Sequence, residues 1–260
     1  MVMTVLDGAP IWVDLACDDL DTSKTFYASV LGWTFQDPAP EAGGWTAALA
    51  DGETVAGLAT RRPGTPSTWS MYLACADADA TLSRITELGG SVYVPAFDIV
   101  IGGTRQGRIA AAADPTGGLF GLWQPDAMPG FTPSGEPGHA QWFELNSSDP
   151  TTARDFFTAL FHGTADDIGD PAVPDYTNVT VGRSTHENFG NWTMQGMLSA
   201  RSTSQWFVYF AVRDVDAAAK RAVDAGGTLV RMDDSMHGRW AYIVGTQGEQ
   251  FYIIDVTVKS

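Results

Sequence analysis

The chain has 260 residues, 44% of them hydrophobic and 18% charged. That is the composition of a globular protein with one large domain or two ordinary ones, not of a disordered segment. Lys and Arg number 15 against 31 Asp and Glu, for a formal net charge of −16. Such a field repels phosphate backbones and anionic headgroups, which argues against nucleic acid and membrane surfaces as partners. It favours neutral or cationic ligands weakly, and the acids also serve plain solubility. Two cysteines, Cys17 and Cys75, make no disulfide framework. Each ends an apolar strand pattern and reads as a buried, reduced thiol. The opening MVMTVLDGAPIW lacks the basic and apolar regions of a signal peptide, and no stretch reaches the length of a transmembrane helix. A soluble, cytoplasmic protein is expected.

In chain order, the strand pattern IWVDLAC leads into DDLDTSKTFYASVLG, where Leu20, Phe26, Tyr27, Val30 and Leu31 recur at helical spacing and Gly32 stops the helix. Strands are predicted around Trp33–Phe35, Trp45–Ala50 and Thr54–Thr60. A second run follows: strand TWSMYLACA, helix DADATLSRITELGG, and strands SVYVP, GRIAAAAD and LFGLWQ. The third begins at AQWFELN with helix DPTTARDFFTALF and later strands near YTNVTVG and WTMQGMLSA. The fourth reads QWFVYFAVRDVDAAAKRAVDAGGTLVRM, then GRWAYIVG and QFYIIDV.

These are four copies of one strand–helix–three-strand unit. Repeats one and three share a Trp-x-acid-Leu strand and an Asp-led helix. In repeats two and four, Asp77, Asp79, Ala80, Arg84 and Gly89-Gly90 answer to Asp214, Asp216, Ala217, Arg221 and Gly226-Gly227. Gly107-Arg108 and Gly117 likewise answer to Gly238-Arg239 and Gly248. Between the halves QPDAMPGFTPSGEPG is rich in Pro and Gly and reads as a linker. The expected organisation is a first domain over 1–124, a linker over 125–138 and a second domain over 139–260. The sequence leaves open whether the repeats pair one with two and three with four, or one with four and two with three.

Four such units, with Asp-Leu…Phe-Tyr…Val-Leu-Gly-Trp after the first strand and Asp-Pro-Thr-Gly-Gly before the eighth, resemble the vicinal oxygen chelate superfamily. That superfamily includes glyoxalase I, extradiol dioxygenases, fosfomycin-resistance enzymes and bleomycin-binding proteins. The tandem Trp-Val-Asp-Leu and Trp-Phe-Glu-Leu layout is similar to actinobacterial glyoxalase-like proteins. The resemblance implies an α+β fold of four βαβββ units, forming two domains with curved, cup-shaped mixed sheets. It also implies a divalent ion held by His, Gln or Glu from the first and last strands of each repeat. Carried onto this sequence, those positions fall at Trp12, Ser70, Trp142 and Phe207, and at Gly57, Gly121, Gly196 and Tyr252. None of the eight chelates, and an oxygen- or nitrogen-ligated ion needs roughly three protein ligands. No metal and no cofactor are expected. His139, His162, His186 and His237 show no ligand spacing, and P-loop, dinucleotide and Gly-x-Ser-x-Gly signatures are absent.

Side chains alternate along a strand, so Trp12, Asp14 and Ala16 share one face. By the same rule Ser70, Tyr72 and Ala74 share a face in repeat two, Trp142, Glu144 and Asn146 in repeat three, and Phe207, Tyr209 and Ala211 in repeat four. A buried carboxylate costs several kcal/mol unless satisfied, yet one recurs in both halves, as Asp14 and Glu144. These acids are candidate general acid/base groups, with Tyr72 and Tyr209 as hydrogen-bond donors. Trp12, Ser70, Gly121, Trp123, Trp142, Asn146, Phe207 and Tyr252 are candidate ligand contacts. The competing account is structural: Asp14 bonded to Tyr72 or backbone amides, Glu144 paired with Arg213 or Arg239, and the tryptophans in the core. The expected function is metal-independent acid/base chemistry of isomerase, cyclase or lyase type on an apolar, aromatic or polyketide-like molecule. The alternative is a binder that sequesters such a molecule. The expected partner is a small organic molecule, and the expected state a monomer or weak homodimer.

Overall fold

The computed structural model describes residues 7–38, 40–131, 135–167, 177–180, 193–198, 204–235 and 237–255. Repeat one comprises β1 (Pro10–Cys17), α1 (Leu20–Leu31), β2 (Thr34–Phe35), β3 (Thr46–Ala50) and β4 (Glu53–Thr60). Repeat two comprises β5 (Thr68–Ala74), α2 (Ala78–Glu87), β6 (Ser91–Ile101), β7 (Thr104–Ala113) and β8 (Leu119–Pro125). In repeat three β9 (Ala140–Ser147) and α3 (Pro150–Phe161) precede β10 (Thr164–Asp167), β11 (Thr177–Thr180) and β12 (Thr193–Leu198). Repeat four holds β13 (Gln205–Val212), α4 (Val215–Asp224), β14 (Thr228–Ser235), β15 (Gly238–Val244) and β16 (Gln250–Asp255). The sequence pattern did not mark β10, and it stopped β6 at Pro95, where the strand continues for six more residues.

Each of the four described α-helices starts from an aspartate. Asp19, Asp77, Asp149 and Asp214 each turn a carboxylate onto backbone amides two or three residues on, satisfying donors that the first helical turn leaves open. Helix α1 stops at Gly32, whose φ of 77° is the left-handed conformation glycine adopts without steric cost. On β1 Val13, Leu15 and Cys17 are fully buried on one side; on the other, which we call the open face, Trp12 is buried and Asp14 and Ala16 are half-buried.

The strands form two mixed sheets, ordered β2-β3-β4-β1-β5-β8-β7-β6 and β10-β11-β12-β9-β13-β16-β15-β14. Within each repeat the first and last strands pair in parallel. Asp14 stands opposite Gly57, Tyr72 opposite Gly121, Glu144 opposite Gln195 and Tyr209 opposite Tyr252. The join between β1 and β5 lies at Ala9, whose carbonyl accepts from the Ala74 amide at 2.8 Å. That between β9 and β13 lies at His139, whose carbonyl accepts from the Ala211 amide at 2.9 Å.

The sheets thus group repeats one with two and three with four, but compact packing groups them otherwise. One compact unit holds most of repeats two and three (Met71–Gly130 and Phe143–Trp206), the other most of repeats one and four (Val13–Ser70 and Phe207–Ser260). In the one–four unit Tyr27 and Trp33 stack at 5.5 Å, and Phe210 packs edge-on to Trp33 at 5.3 Å and to Trp69 at 5.0 Å. Arg221 on α4 donates to the carbonyls of Ser29 and Val30 at the end of α1. In the two–three unit Phe157 packs against Phe120 at 5.3 Å and Trp206 at 5.4 Å. The expected linker is partly folded onto repeat two. The amides of Asp126 and Met128 both donate to the Gln106 carbonyl, and the Trp123 indole donates to the Met128 carbonyl at 2.9 Å.

Each unit also buries a carboxylate at the turn before a repeat's last strand. In the one–four unit Glu249 is fully buried. Its Oε1 accepts from the Tyr27 hydroxyl at 3.1 Å, which in turn accepts from the Trp69 indole at 2.9 Å. A Cβ at Gly245 would collide with this carboxylate. In the two–three unit Asp114 is buried and Oδ1 accepts from the Thr116 amide and hydroxyl, both at 2.6 Å. There the crowded position is Gly118, where a Cβ would meet Asp114 Oδ2. The turns are otherwise alike: Asp114 N donates to Gly118 O and Gly245 N to Glu249 O.

Two outcomes are expected. Cutting the chain within 125–138 separates Tyr27, Trp33 and Trp69 from Phe210 and Phe251, so each half alone should be insoluble or unfolded. Co-expression should restore a folded complex, measured by co-purification and near-UV circular dichroism. Independent folding of both halves would contradict the crossed cores. The second outcome concerns Glu249, whose carboxyl burial lifts above its ordinary value of 4.5. The folded chain therefore holds that proton more tightly than the unfolded chain, and stability falls as pH rises from 4.5 through the raised value. Glu249→Gln should remove this slope, so its melting temperature gains on wild type as pH rises through that window. Parallel melting curves for the two proteins would show that the proton is not held this way.

Candidate functional site

In repeat one the site is built around β1 and β4. Asp14 is half-buried on the open face, and its Oδ1 accepts from the indole Nε1 of Trp45 at 3.1 Å. Trp45 enters just before β3, after Gly43 and Gly44, whose positive φ angles of 68° and 82° turn the chain. The residue opposite Asp14 is Gly57, and any Cβ there would collide with both the carboxylate oxygen and the indole nitrogen. Glycine at 57 is thus what lets these two groups meet. A charged carboxylate accepting an N–H in a half-buried place is held in one orientation. The Trp45 indole is a donor beyond Tyr72 and the backbone amides considered from the sequence. The sequence pattern starts this strand at Trp45, whereas β3 begins at Thr46, and nothing in that pattern marks Trp45 as a partner of Asp14.

Repeat two sets Tyr72 opposite Gly121 in the same way. A Cβ at 121 would fall within the Tyr72 ring, so the room expected there for a ligand is taken by the tyrosine. Trp123 is buried over Gly107. It forms an apolar cluster with Ala9, Ile11 and Ala74, against which the half-buried Tyr72, Ile99, Ile109 and Met128 pack. Trp12 is buried and Ser70 half-buried on the open faces of β1 and β5.

In repeat three Glu144 is buried and Asn146 half-buried. The register corrects one assignment: Gln195, not Gly196, stands opposite Glu144, and Gly196 stands opposite Leu145. One of the eight positions carried over for a metal is therefore an amide-bearing residue after all. Arg239, one partner considered for Glu144, pairs with Asp216 and Asp234.

Trp142 belongs with repeat four. There Phe207, Tyr209, Tyr252 and Ile254 form a buried cluster, with Trp142, Trp240 and Tyr242 packed on it. Tyr209 and Tyr252 stack at 4.3 Å and 12°, and Tyr252 and Tyr242 at 4.8 Å and 18°. His237 lies 4.8 Å from Trp142, and burial holds its imidazole below the ordinary range. Burial also pushes the Tyr242 phenol up, and its hydroxyl donates to Gln250 at 2.7 Å. The open face of repeat four is filled by its own rings.

Among the described residues no group of three His, Cys, Asp or Glu converges, and the carboxylate of repeat one holds an indole N–H. His139 is buried, with its imidazole held below the ordinary range by that burial. His162 ends α3 in a left-handed conformation, and His186 lies outside the described residues. Both cysteines are buried free thiols, and burial pushes Cys75 up to about 12. None of the described helices is long and apolar enough to cross a membrane.

The chain is similar along its length to named proteins. It is 35% identical over 255 residues to CFP32 of Mycobacterium tuberculosis, named as a candidate glyoxylase, covering 95% of this chain and 94% of that one. It is 32% identical over 266 residues to the anthracycline biosynthesis protein DauV of a Streptomyces species, covering 96% and 94%. Among solved structures, the Mn(II)-bound glyoxalase of Novosphingobium aromaticivorans superposes with a TM-score of 0.64 at 18% identity, covering 98% of this chain and 84% of that one. At that identity the likeness speaks to the fold. The family model for the glyoxalase/bleomycin resistance protein/dioxygenase superfamily matches residues 10–122 and 139–244. Four βαβββ repeats, the parallel first and last strands of each, and these two matches place the chain in the glyoxalase/bleomycin resistance protein/dioxygenase superfamily.

Proposed function

We propose that this chain is a metal-independent, glyoxalase-like enzyme of natural-product metabolism, acting by acid/base chemistry on an apolar, aromatic or polyketide-like molecule. The observation that carries this reading is Asp14: a half-buried carboxylate on an open sheet face, fixed by the Trp45 indole, with Gly57 clearing the space between them. A carboxylate so oriented can take a proton from carbon beside a carbonyl and return it elsewhere, the step shared by isomerases, cyclases and lyases of that type. Its indole partner steadies the charged form that exists before the first transfer and after the second. Tyr72 is the candidate hydrogen-bond donor of repeat two. Glu144 is the equivalent acid of the second half, and Tyr209 its candidate donor. The similarity to an anthracycline biosynthesis protein supports a polycyclic polyketide as the substrate class. The two reduced, buried thiols support a cytoplasmic setting.

A second reading, sequestration without turnover, draws on the half-buried apolar surface of Tyr72, Ile99, Ile109 and Met128. Such a surface holds a flat molecule by burial alone.

Asp14→Asn separates the two. Under the enzyme reading kcat against a polyketide-type substrate should fall about 10²–10⁴-fold while affinity moves little. Trp45→Phe should lower kcat about tenfold with KM nearly unchanged, because the base remains but is less well aimed. Binding that weakens with no turnover in either protein would favour sequestration. Glu144→Gln should have the smaller effect, since Glu144 is buried whereas Asp14 is half-buried.

Metal content is a separate outcome. Purified protein should carry no stoichiometric Zn, Ni, Fe or Mn, and a chelator should leave turnover intact. About one ion per chain, with activity lost on chelation, would overturn the metal-independent reading.

A further inference from the structure

We infer that Trp45 is a charge-sensitive latch: it clamps Asp14 while the carboxylate is ionised and releases it once the carboxyl is neutral. This rests on the reading of Asp14 as the base, and adds how that base is aimed and then let go. The latch is the bond from the Trp45 indole to Asp14 Oδ1 at 3.1 Å, made across the space that Gly57 leaves. Trp45 is carried by a turn that bonds within itself. The Gly43 amide donates to the Pro40 carbonyl at 3.1 Å and the Trp45 amide to the Ala42 carbonyl at 3.3 Å. Pro40 and Gly43 are exposed, and a Cβ at Gly43 or Gly44 would meet nothing within 4 Å, so open space lies beside both. Just after Trp45 the chain becomes firm. Thr46 is fully buried and its hydroxyl donates to the Gln36 carbonyl at 2.6 Å, while the Gln36 amide donates to the Ala47 carbonyl at 3.0 Å. An exposed turn with two glycines ahead of a fixed strand is the kind of segment that opens locally at small cost.

What decides whether it opens is the charge on Asp14. An N–H bond to an ionised carboxylate is roughly twice as strong as one to a neutral acceptor. When Asp14 takes a proton from carbon beside a carbonyl, the C–H electron pair stays with the substrate as an enolate and Asp14 becomes a neutral acid. Its bond to the indole weakens at that step, by about tenfold in the closing equilibrium. The carboxyl is then no longer aimed at the atom it deprotonated and can deliver its proton to a second one. Delivery restores the charge, and the latch closes again. A base clamped throughout favours returning the proton to the carbon it left. Release is what suits Asp14 to moving a proton between two atoms of one substrate.

Asp14→Asn is the test, because the amide has the shape of the neutral acid and lacks the charge of the base. Amide hydrogen exchange is followed in the full chain at neutral pH. Exchange at Gly43 and Trp45 should be about tenfold faster in Asp14→Asn than in wild type, with the amides of β1 and β4 unchanged. Trp45→Phe should speed the same amides at least as much. In the double variant the two effects should not add, because both act through one bond. A Trp45 held by packing alone gives another pattern: Trp45→Phe loosens the turn and Asp14→Asn leaves it as in wild type. That result, or additive effects in the double variant, would overturn the inference. Turnover that survives Asp14→Asn would instead sink the acid/base reading, and it shows in activity, not in exchange. Asp14→Ser, also uncharged and smaller than Asn, should loosen the turn in the same way and serves where circular dichroism shows Asp14→Asn unfolded.

Discussion

Parallel pairing of the first and last strands in every repeat is the constraint on which the open faces depend. It fixes which two side chains share each position, and the sizes of those two decide what the face can do. Where one member is glycine the other lies flat across it: Asp14 with its indole partner over Gly57, and the Tyr72 ring over Gly121. Where both are large, as at Tyr209 and Tyr252, the rings stack and close the face. The four repeats therefore share a backbone and differ in chemistry through four opposed pairs. The pair in repeat one is the one that leaves a fixed carboxylate on a half-buried surface.

Sheets and cores divide the chain along different lines. Backbone hydrogen bonds run from repeat one to two and from three to four, while the large buried rings join one with four and two with three. Each compact unit thus takes strands from both sheets. The carboxylate at Asp14 rests on this arrangement indirectly. The opposite face of its strand, through Val13, Leu15 and Cys17, is fully buried, so the position of Asp14 follows from how that buried face is packed.

Much of this was legible in the sequence, because the signals are local. Apolar periodicity and an aspartate ahead of each helix marked four repeats, and alternation along β1 placed Asp14 on the face away from Val13 and Leu15. The family resemblance rested on the same local motifs and holds over both halves. What escaped depends on groups far apart in the chain. The bond from Trp45 to Asp14 spans 31 residues, and nothing near Trp45 announces it. The assignment at Gly196 missed by one residue, an error that exchanges one face of a strand for the other. Crossed cores could not be read because helix pairing leaves no trace in strand periodicity. Asp114 and Glu249 sit in turns, where acids are ordinary and burial is not suspected.

Those two turns hold a lesson about how duplicated segments drift apart. Asp114 and Gly118 in one repeat, Gly245 and Glu249 in the other, deliver a carboxylate to the crowded interior of the same kind of turn from opposite ends. The turn is occupied by one acid and leaves no space for a second, since a Cβ at either glycine meets the acid already there. In each copy the glycine at the far end of the turn is what leaves room for the acid. Lining up such repeats letter against letter sets an acid beside a glycine twice and scores two mismatches. Lining them up by where the charge ends up scores one shared feature. Ancestry in repeated folds of this kind is recorded in occupied volume as much as in residue identity.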